Sequence, residues 1–245
     1  MITYMYDGSF EGLLTAVFEA YSRKAEPAFI IPEQGLQQNL LMEYVPIITD
    51  TAKSDRVYTS IWRNISEEAL KNVYHTYLSN DPDAGTLIYR YLKLGWKMGS
   101  RVDLHLADDT VFKVLDINRR LEFEVHRLMG FVRFRQVEGG IYYAALSPDN
   151  NVVELLAPHF AERLSDQNWI IHDVKRELAA LYNKKTWIMS EFSVADLPSD
   201  TEEEAQYVKL WKEFFNTLAI PSRRNPKLQR QLLPRRYWEH LTEKW

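Results

Sequence analysis

The chain has 245 residues, 46% of them apolar, and a formal net charge of −4. That is enough apolar material for one large domain or two closely packed ones, and too little positive charge for indiscriminate polyanion binding. The absence of cysteine excludes disulfides, thiolate zinc sites, a cysteine nucleophile and cysteine-ligated iron–sulfur clusters, so any metal must be held by His, Asp or Glu.

From the N-terminus, the pattern predicts a strand over Ile2 to Tyr6, a turn at Asp7-Gly8, and a helix from Phe10 to Tyr21 capped by Ser9. Short strands follow near Ala28 to Ile31 and Tyr44 to Thr49, then helices over Arg56 to Asn64 and Glu67 to Leu78, the second capped by Ser66. Gly8 to Gly12, a glycine-bracketed strand-to-helix turn, is a weak candidate for an anion site and otherwise a tight turn. The Asn80-Asp81-Pro82-Asp83 turn marks the expected seam between an N-terminal α/β unit (1–80) and the rest (81–245), although the two can equally form one continuous domain.

Helical patterns continue over Thr86 to Leu94, Thr110 to Leu115 and Asn118 to Met129. After Gly130 the period becomes alternating, and Phe131 to Val137, Glu138-Gly139-Gly140 and Ile141 to Leu146 read as a β-hairpin. A helix beginning at Ser147-Pro148-Asp149, a strand from Trp169 to His172, a helix near Val174 to Tyr182 and a strand from Thr186 to Phe192 complete a second unit. The rest is helical: Tyr207, Trp211, Phe214, Phe215 and Leu218 form an apolar stripe behind Glu202, Glu203 and Glu204, and Pro226 and Pro234 read as helix starts. The expected fold is α+β, an N-terminal βα unit packed on a second α+β unit with a β-hairpin and a helical C-terminal tail.

The tail concentrates Arg223, Arg224, Lys227, Arg230, Arg235 and Arg236 without an intervening acid, followed by Tyr237 and Trp238. Cations near helix starts suit phosphate, and the rings suit stacking on bases or sugars. Equally, the residues can pack the tail down while its arginines pair with the acidic stretch from Glu191 to Glu204. In the hairpin, alternation puts Arg133 and Arg135 on one face, and a three-residue loop would set Arg135 opposite Tyr143. Exposed arginines at a sheet edge also discourage aggregation.

Two patterns raise catalysis. Asp149, then Asp173 and Lys175, could hold magnesium and orient water against a phosphodiester, as in a metal-dependent DNA-processing enzyme. Glu122, His126, His159 and Asp173 could converge on a metal, though none has the spacing of H-E-x-x-H. Phosphate-loop, dinucleotide-binding and nucleophile-elbow signatures are missing. The longest apolar runs fall far short of the roughly 20 residues that span a bilayer, and Asp7 and Glu11 interrupt any signal-peptide core. A cytoplasmic protein with no membrane partner is expected.

Four ordered blocks, YDGSFEGLLTAVFEAY, HRLMGFVRF, PDNNVVELLAPHFAERLSDQNWIIHD and RRNPKLQRQLLPRRYWEHLTE, carry a further implication. Over essentially its whole length the chain resembles a bacterial family described in terms of DNA metabolism or DNA repair. Proteins similar to it are encoded beside a radical-SAM protein of DNA repair, and a related domain occurs fused to a uracil-DNA glycosylase-like domain. The resemblance implies DNA and a radical-SAM repair protein as partners, and brings no cofactor or catalytic residue with it. Because radical chemistry of that kind needs a cysteine-bound cluster, it would belong to the partner. The expectation is a DNA-binding accessory protein; the alternatives are the metal-dependent enzyme and a protein-interaction subunit without direct DNA contact.

Overall fold

The computed structural model describes residues 2–23, 26–34, 42–197, 199–218 and 225–242. It opens on the predicted step from β1 (Ile2–Tyr6) into α1 (Phe10–Ser22). Ser9 caps the helix by accepting the Gly12 N–H at 2.9 Å. The Asp7 carboxylate takes the Ser9 N–H at 2.9 Å, the Ser9 hydroxyl at 2.6 Å and the Thr49 hydroxyl at 2.7 Å. Burial pulls the Asp7 carboxyl upward, but these hydrogen bonds outweigh it and hold the group below its ordinary range. The turn is therefore occupied by the protein's own anion and is no anion site. A Cβ on Gly12 would lie 2.2 Å from Asp7 Oδ1, so any larger residue there would displace the carboxylate from these hydrogen bonds.

β2 (Phe29–Pro32) and β3 (Glu43–Pro46) flank β1, both parallel to it, in the order β2-β1-β3. Then come α2 (Thr51–Asn64), capped by Asp50, and α3 (Glu67–Leu78), capped by Ser66. α4 (Ala84–Met98) follows, then a 3-10 turn over Gly99–Leu104 and α5 (Asp109–Phe131). α4 meets β2 so closely that a Cβ on Gly85 would sit 2.4 Å from the Ile30 carbonyl oxygen. Next to it Thr86 accepts the Ile30 N–H at 3.0 Å.

The compact units divide at Leu121/Glu122, not at residue 80. Ile88, Tyr91 and Leu92 of α4 share one core with Tyr4, Leu13 and Ile30, and Val111 and Val114 of α5 join it. The Asn80–Asp83 turn is thus a tight connection inside the first unit. A buried polar strip ties its helices together: Asn118 bonds Asn72 and His75, Asn72 donates to Asp103 at 3.2 Å, and Tyr91 donates to Asp103 at 2.6 Å. Each group is satisfied, as burial requires.

In the second unit β4 (Arg135–Val137) and β5 (Ile141–Leu146) form the expected hairpin with a three-residue loop, Gly139 and Gly140 both at positive φ. α6 (Val153–Arg163) crosses to β6 (Asn168–Asp173), parallel to β5, and β7 (Leu178–Asn183) and β8 (Trp187–Glu191) extend the sheet antiparallel, in the order β4-β5-β6-β7-β8. After a 3-10 turn over Val194–Asp196 come α7 (Glu202–Leu218), α8 (Pro226–Leu232) and a last 3-10 turn over Arg235–His240. None of the described helices is long and apolar enough to cross a membrane.

Several elements differ from expectation, among them α6, which begins at Val153 and leaves 147–152 as a loop where a helix from Ser147-Pro148-Asp149 was expected. Helix α5 continues to Phe131, so Arg133 precedes the strand instead of lying in it. Its last turn stays helical because Leu128 and Val132 are both buried. The segment predicted as a helix over Val174 to Tyr182 is a turn followed by β7. Asp173 takes the N–H groups of Lys175 and Arg176, Glu177 adopts φ 50°, and Ala179 and Ala180 are fully buried in the sheet. Alanine's helical preference is a fraction of a kcal/mol and yields to that burial.

Candidate functional site

β5 and β6 are paired in parallel, so Leu146 and Asp173 end side by side at the carboxyl ends of these strands, the end where ligands collect in open α/β sheets. Five charged groups meet around the 147–150 loop there: Glu124 and Asp173 are buried, Arg176 is half-buried, and Asp149 and Arg236 are more exposed. Glu124 sits on the buried face of α5 and is 4% exposed. It accepts the backbone N–H groups of Asp149 at 2.8 Å and Asn150 at 3.1 Å, the Asn150 side-chain amide at 2.7 Å and the Tyr237 hydroxyl at 2.7 Å. Burial, reinforced by Glu124, raises the Tyr237 phenol, which keeps it a donor at all ordinary pH.

Asp173, fully buried, binds Arg176 Nη1 at 2.6 Å. Arg176 also donates to the carbonyls of Pro148 at 3.3 Å and Asp149 at 2.7 Å. The Asp149 carboxylate pairs with Arg236 at 2.8 Å, and Ser147 Oγ lies 2.8 Å from His240 Nε2. Burial depresses the pKa of His240, which favours its neutral imidazole. A hydroxyl beside a neutral imidazole is the pairing that activates nucleophiles. Here Ser147 is buried, and the nearby Asp149 and Asn150 N–H groups that could steady an oxyanion are bound to Glu124. The cluster is a clamp that fastens the tail to the carboxyl ends of β5 and β6.

Neither nuclease carboxylate is unpaired: Asp173 pairs with Arg176 and Asp149 with Arg236. Lys175 contributes its backbone N–H to the Asp173 turn. Nor do the metal candidates assemble: among the described residues no three His, Asp or Glu side chains come together to hold a metal. Glu122 and His126 are exposed on α5, while His159 stands edge-on to Phe160. Buried Asp173 is held in its own turn.

The basic candidates separate as well. Arg135 lies opposite Tyr143, 5.2 Å over its ring, as the three-residue loop requires, and pairs with Asp200 at 3.2 Å. Arg133 turns back onto the Gly130 carbonyl at 3.1 Å. Tyr237 is 3% exposed and packs near Phe131, so it is a core residue and no stacking platform. Trp238 is half-buried and donates to the Leu233 carbonyl at 3.0 Å, with Arg235 5.9 Å above its ring. Lys227, Arg230 and Arg235 are exposed; Arg223 and Arg224 lie outside the described residues.

A groove of about 930 Å³ opens between α7 and the hairpin. Phe134, Tyr142, Tyr207, Trp211 and Phe214 supply its rings, and Arg133, Gln136, Glu203, Glu204 and Thr242 its polar groups. The stripe expected on α7 is real but not buried: Tyr207 is 64% exposed, Phe214 55% and Trp211 41%. The side chains of Phe215 and Leu218 lie outside the described ones. Sequence reasoning missed both the groove and Glu124, although a carboxylate beside the buried Leu121, Val125 and Leu128 on one helical face is a readable sign of a satisfied buried charge.

The chain belongs to the family described as a domain of unknown function, DUF4130, whose model matches residues 82–243. No curated protein matches it.

Proposed function

We propose that this protein is a nucleic-acid-binding accessory component of DNA repair or modification that acts beside a radical-SAM enzyme, the partner supplying the chemistry. The observation that carries the reading is the state of the tail. Between Asn225 and Thr242 four cations face the lone carboxylate of Glu239, and Lys227, Arg230 and Arg235 stand exposed. Buried Tyr237 and Leu241 and the Arg236–Asp149 pair hold the segment down. Cations on an anchored segment lose less freedom when they meet phosphates, which favours binding over a floppy charged end.

The test is a titration of single- and double-stranded oligonucleotides across a salt series. Affinity should fall with rising salt, and Lys227→Glu with Arg235→Glu should weaken it roughly tenfold and flatten the salt slope. Unchanged affinity in that double variant removes the tail from the reading. A second reading, a subunit that docks on the partner enzyme, is favoured by the exposed apolar face of α7, where Tyr207, Leu210 and Phe214 are each more than half exposed. Copurification with the partner enzyme without oligonucleotide binding would select it.

A further inference from the structure

We propose that the groove between α7 and the β4–β5 hairpin is a site for an unpaired, amino-bearing nucleobase of a single strand, stacked between aromatic rings and read by carboxylates. This rests on the nucleic-acid reading above and adds where, and by what chemistry, a base is held. The rings come from three places: Phe134 before β4, Tyr142 on β5, and Tyr207, Trp211 and Phe214 on α7. Trp211 and Phe214 already lie face to face, 5.9 Å between centroids at 29°. Rings on both sides of a cleft suit a planar heterocycle, and stacking accepts any base.

The polar lining chooses among occupants. Glu203 and Glu204 line the groove from the first turns of α7. One Glu204 oxygen accepts the Gln136 N–H at 2.9 Å, and Glu203 is exposed. An apolar helix would cover these carboxylates without offering them donors, and burying an unpartnered carboxylate is costly. A base with an exocyclic amine brings N–H donors at its edge, and carboxylates accept from the cytosine amine. The same carboxylates repel phosphate, so only the base enters the groove and the backbone stays outside it. Along α7, Glu203 and Phe214 are eleven residues apart, about 16 Å at the helical rise, so the edge-reading end and the stacking end are distinct.

The experiment compares oligo-dC with oligo-dT on the full chain near pH 8, following tryptophan fluorescence and anisotropy. These pyrimidines differ at the edge, amine against carbonyl, and stack alike. Oligo-dC should bind at least fivefold more tightly. Trp211→Ala should lose about tenfold for both strands. Glu203→Gln should erase the preference for dC, bringing the dC and dT affinities together. Because Tyr207 is more exposed than Trp211, Tyr207→Ala repeats the stacking test with less risk to folding, and circular dichroism checks both variants.

Equal binding of dC and dT by the parent chain overturns the edge reading. Parent-like affinity in Trp211→Ala and Tyr207→Ala, with Lys227→Glu and Arg235→Glu still weakened, overturns the groove and leaves the accessory reading standing. No binding of any oligonucleotide removes both. Concentration-dependent dimers that Trp211→Ala dissolves would assign the groove to a second copy and overturn the proposal.

Discussion

Replacing Tyr237 with phenylalanine removes one hydroxyl and keeps the ring beside Phe131, which isolates a single bond of the clamp. That hydroxyl donates to Glu124 at 2.7 Å, and both residues are nearly inaccessible to water. A hydrogen bond to a charged group contributes about 1.5–3 kcal/mol. The other three donors to Glu124 remain, and Arg236 keeps Asp149 when it loses its 3.3 Å contact with the Tyr237 oxygen. The expected cost is therefore about 2 kcal/mol. Glu124→Ala strands all four donors at once and should cost more, roughly 3–5 kcal/mol, as does breaking a buried charged pair. In urea, with a slope of about 2 kcal/mol per molar, Tyr237→Phe should lower the midpoint of the second unit's transition by roughly 1 M. Hydrogen exchange supplies an independent check, because the Asp149 and Asn150 amides should exchange faster in both variants, and more so in Glu124→Ala. A midpoint within about 0.2 M of the parent, with unchanged exchange at these amides, would falsify the clamp.

Burial holds His172 and His240 below the ordinary imidazole value of 6.5, so the unfolded chain binds more protons at mildly acidic pH. Their stabilisation is complete above pH 6.5 and is lost as the pH falls through the lowered folded values. Melting temperature should thus drop between pH 6.5 and 5 yet stay level from 7 to 8, and His240→Gln should shrink that drop. A profile indifferent to His240 would show that its burial is not coupled to folding. Gly85→Ala forces a Cβ to 2.4 Å from the Ile30 carbonyl, a backbone atom that cannot swing aside, and should destabilise the first unit by about 1–3 kcal/mol in chemical denaturation. Asp173→Asn leaves Arg176 with a neutral acceptor in a buried turn and should cost about 3 kcal/mol; magnesium should not stabilise the parent chain, since Arg176 already holds the carboxylate.

Elements set by short-range rules were readable in advance. Ser9 and Ser66 cap the helices they were expected to cap, and Gly139-Gly140 fix the hairpin register that puts Arg135 over Tyr143. Elements set by burial were not. Leu178 to Leu181 carries a helical sequence in a strand, because two fully buried alanines fit the middle of the sheet. The true boundary of the first unit was hidden because a turn such as Asn80–Asp83 looks the same between two domains and between two helices of one core. The clamp was hidden for another reason. Glu124, Asp149, Asp173, Arg176 and Arg236 are brought together by the parallel pairing of β5 with β6 and the return of the tail, a long-range event with no local signature.

The tail and α7 together illustrate how a fold sorts residues that composition treats alike. A cation already paired inside the protein must break that pair before it can meet a phosphate, so Arg236 on Asp149 and Arg135 on Asp200 are poor grips. Exposed Lys227 and Arg235 are better ones. The rings are sorted in the same way. Tyr237 is core, while Tyr207, Trp211 and Phe214 stand open on α7, although a helical stripe predicts burial for them. A charge reversal at Lys227 and Arg235 should therefore act through salt dependence alone, and a ring deletion at Trp211 through salt-independent affinity alone. If both variants shifted the salt slope equally, phosphates would be reaching the groove, and the division between a backbone grip on the tail and a base site on α7 would be wrong.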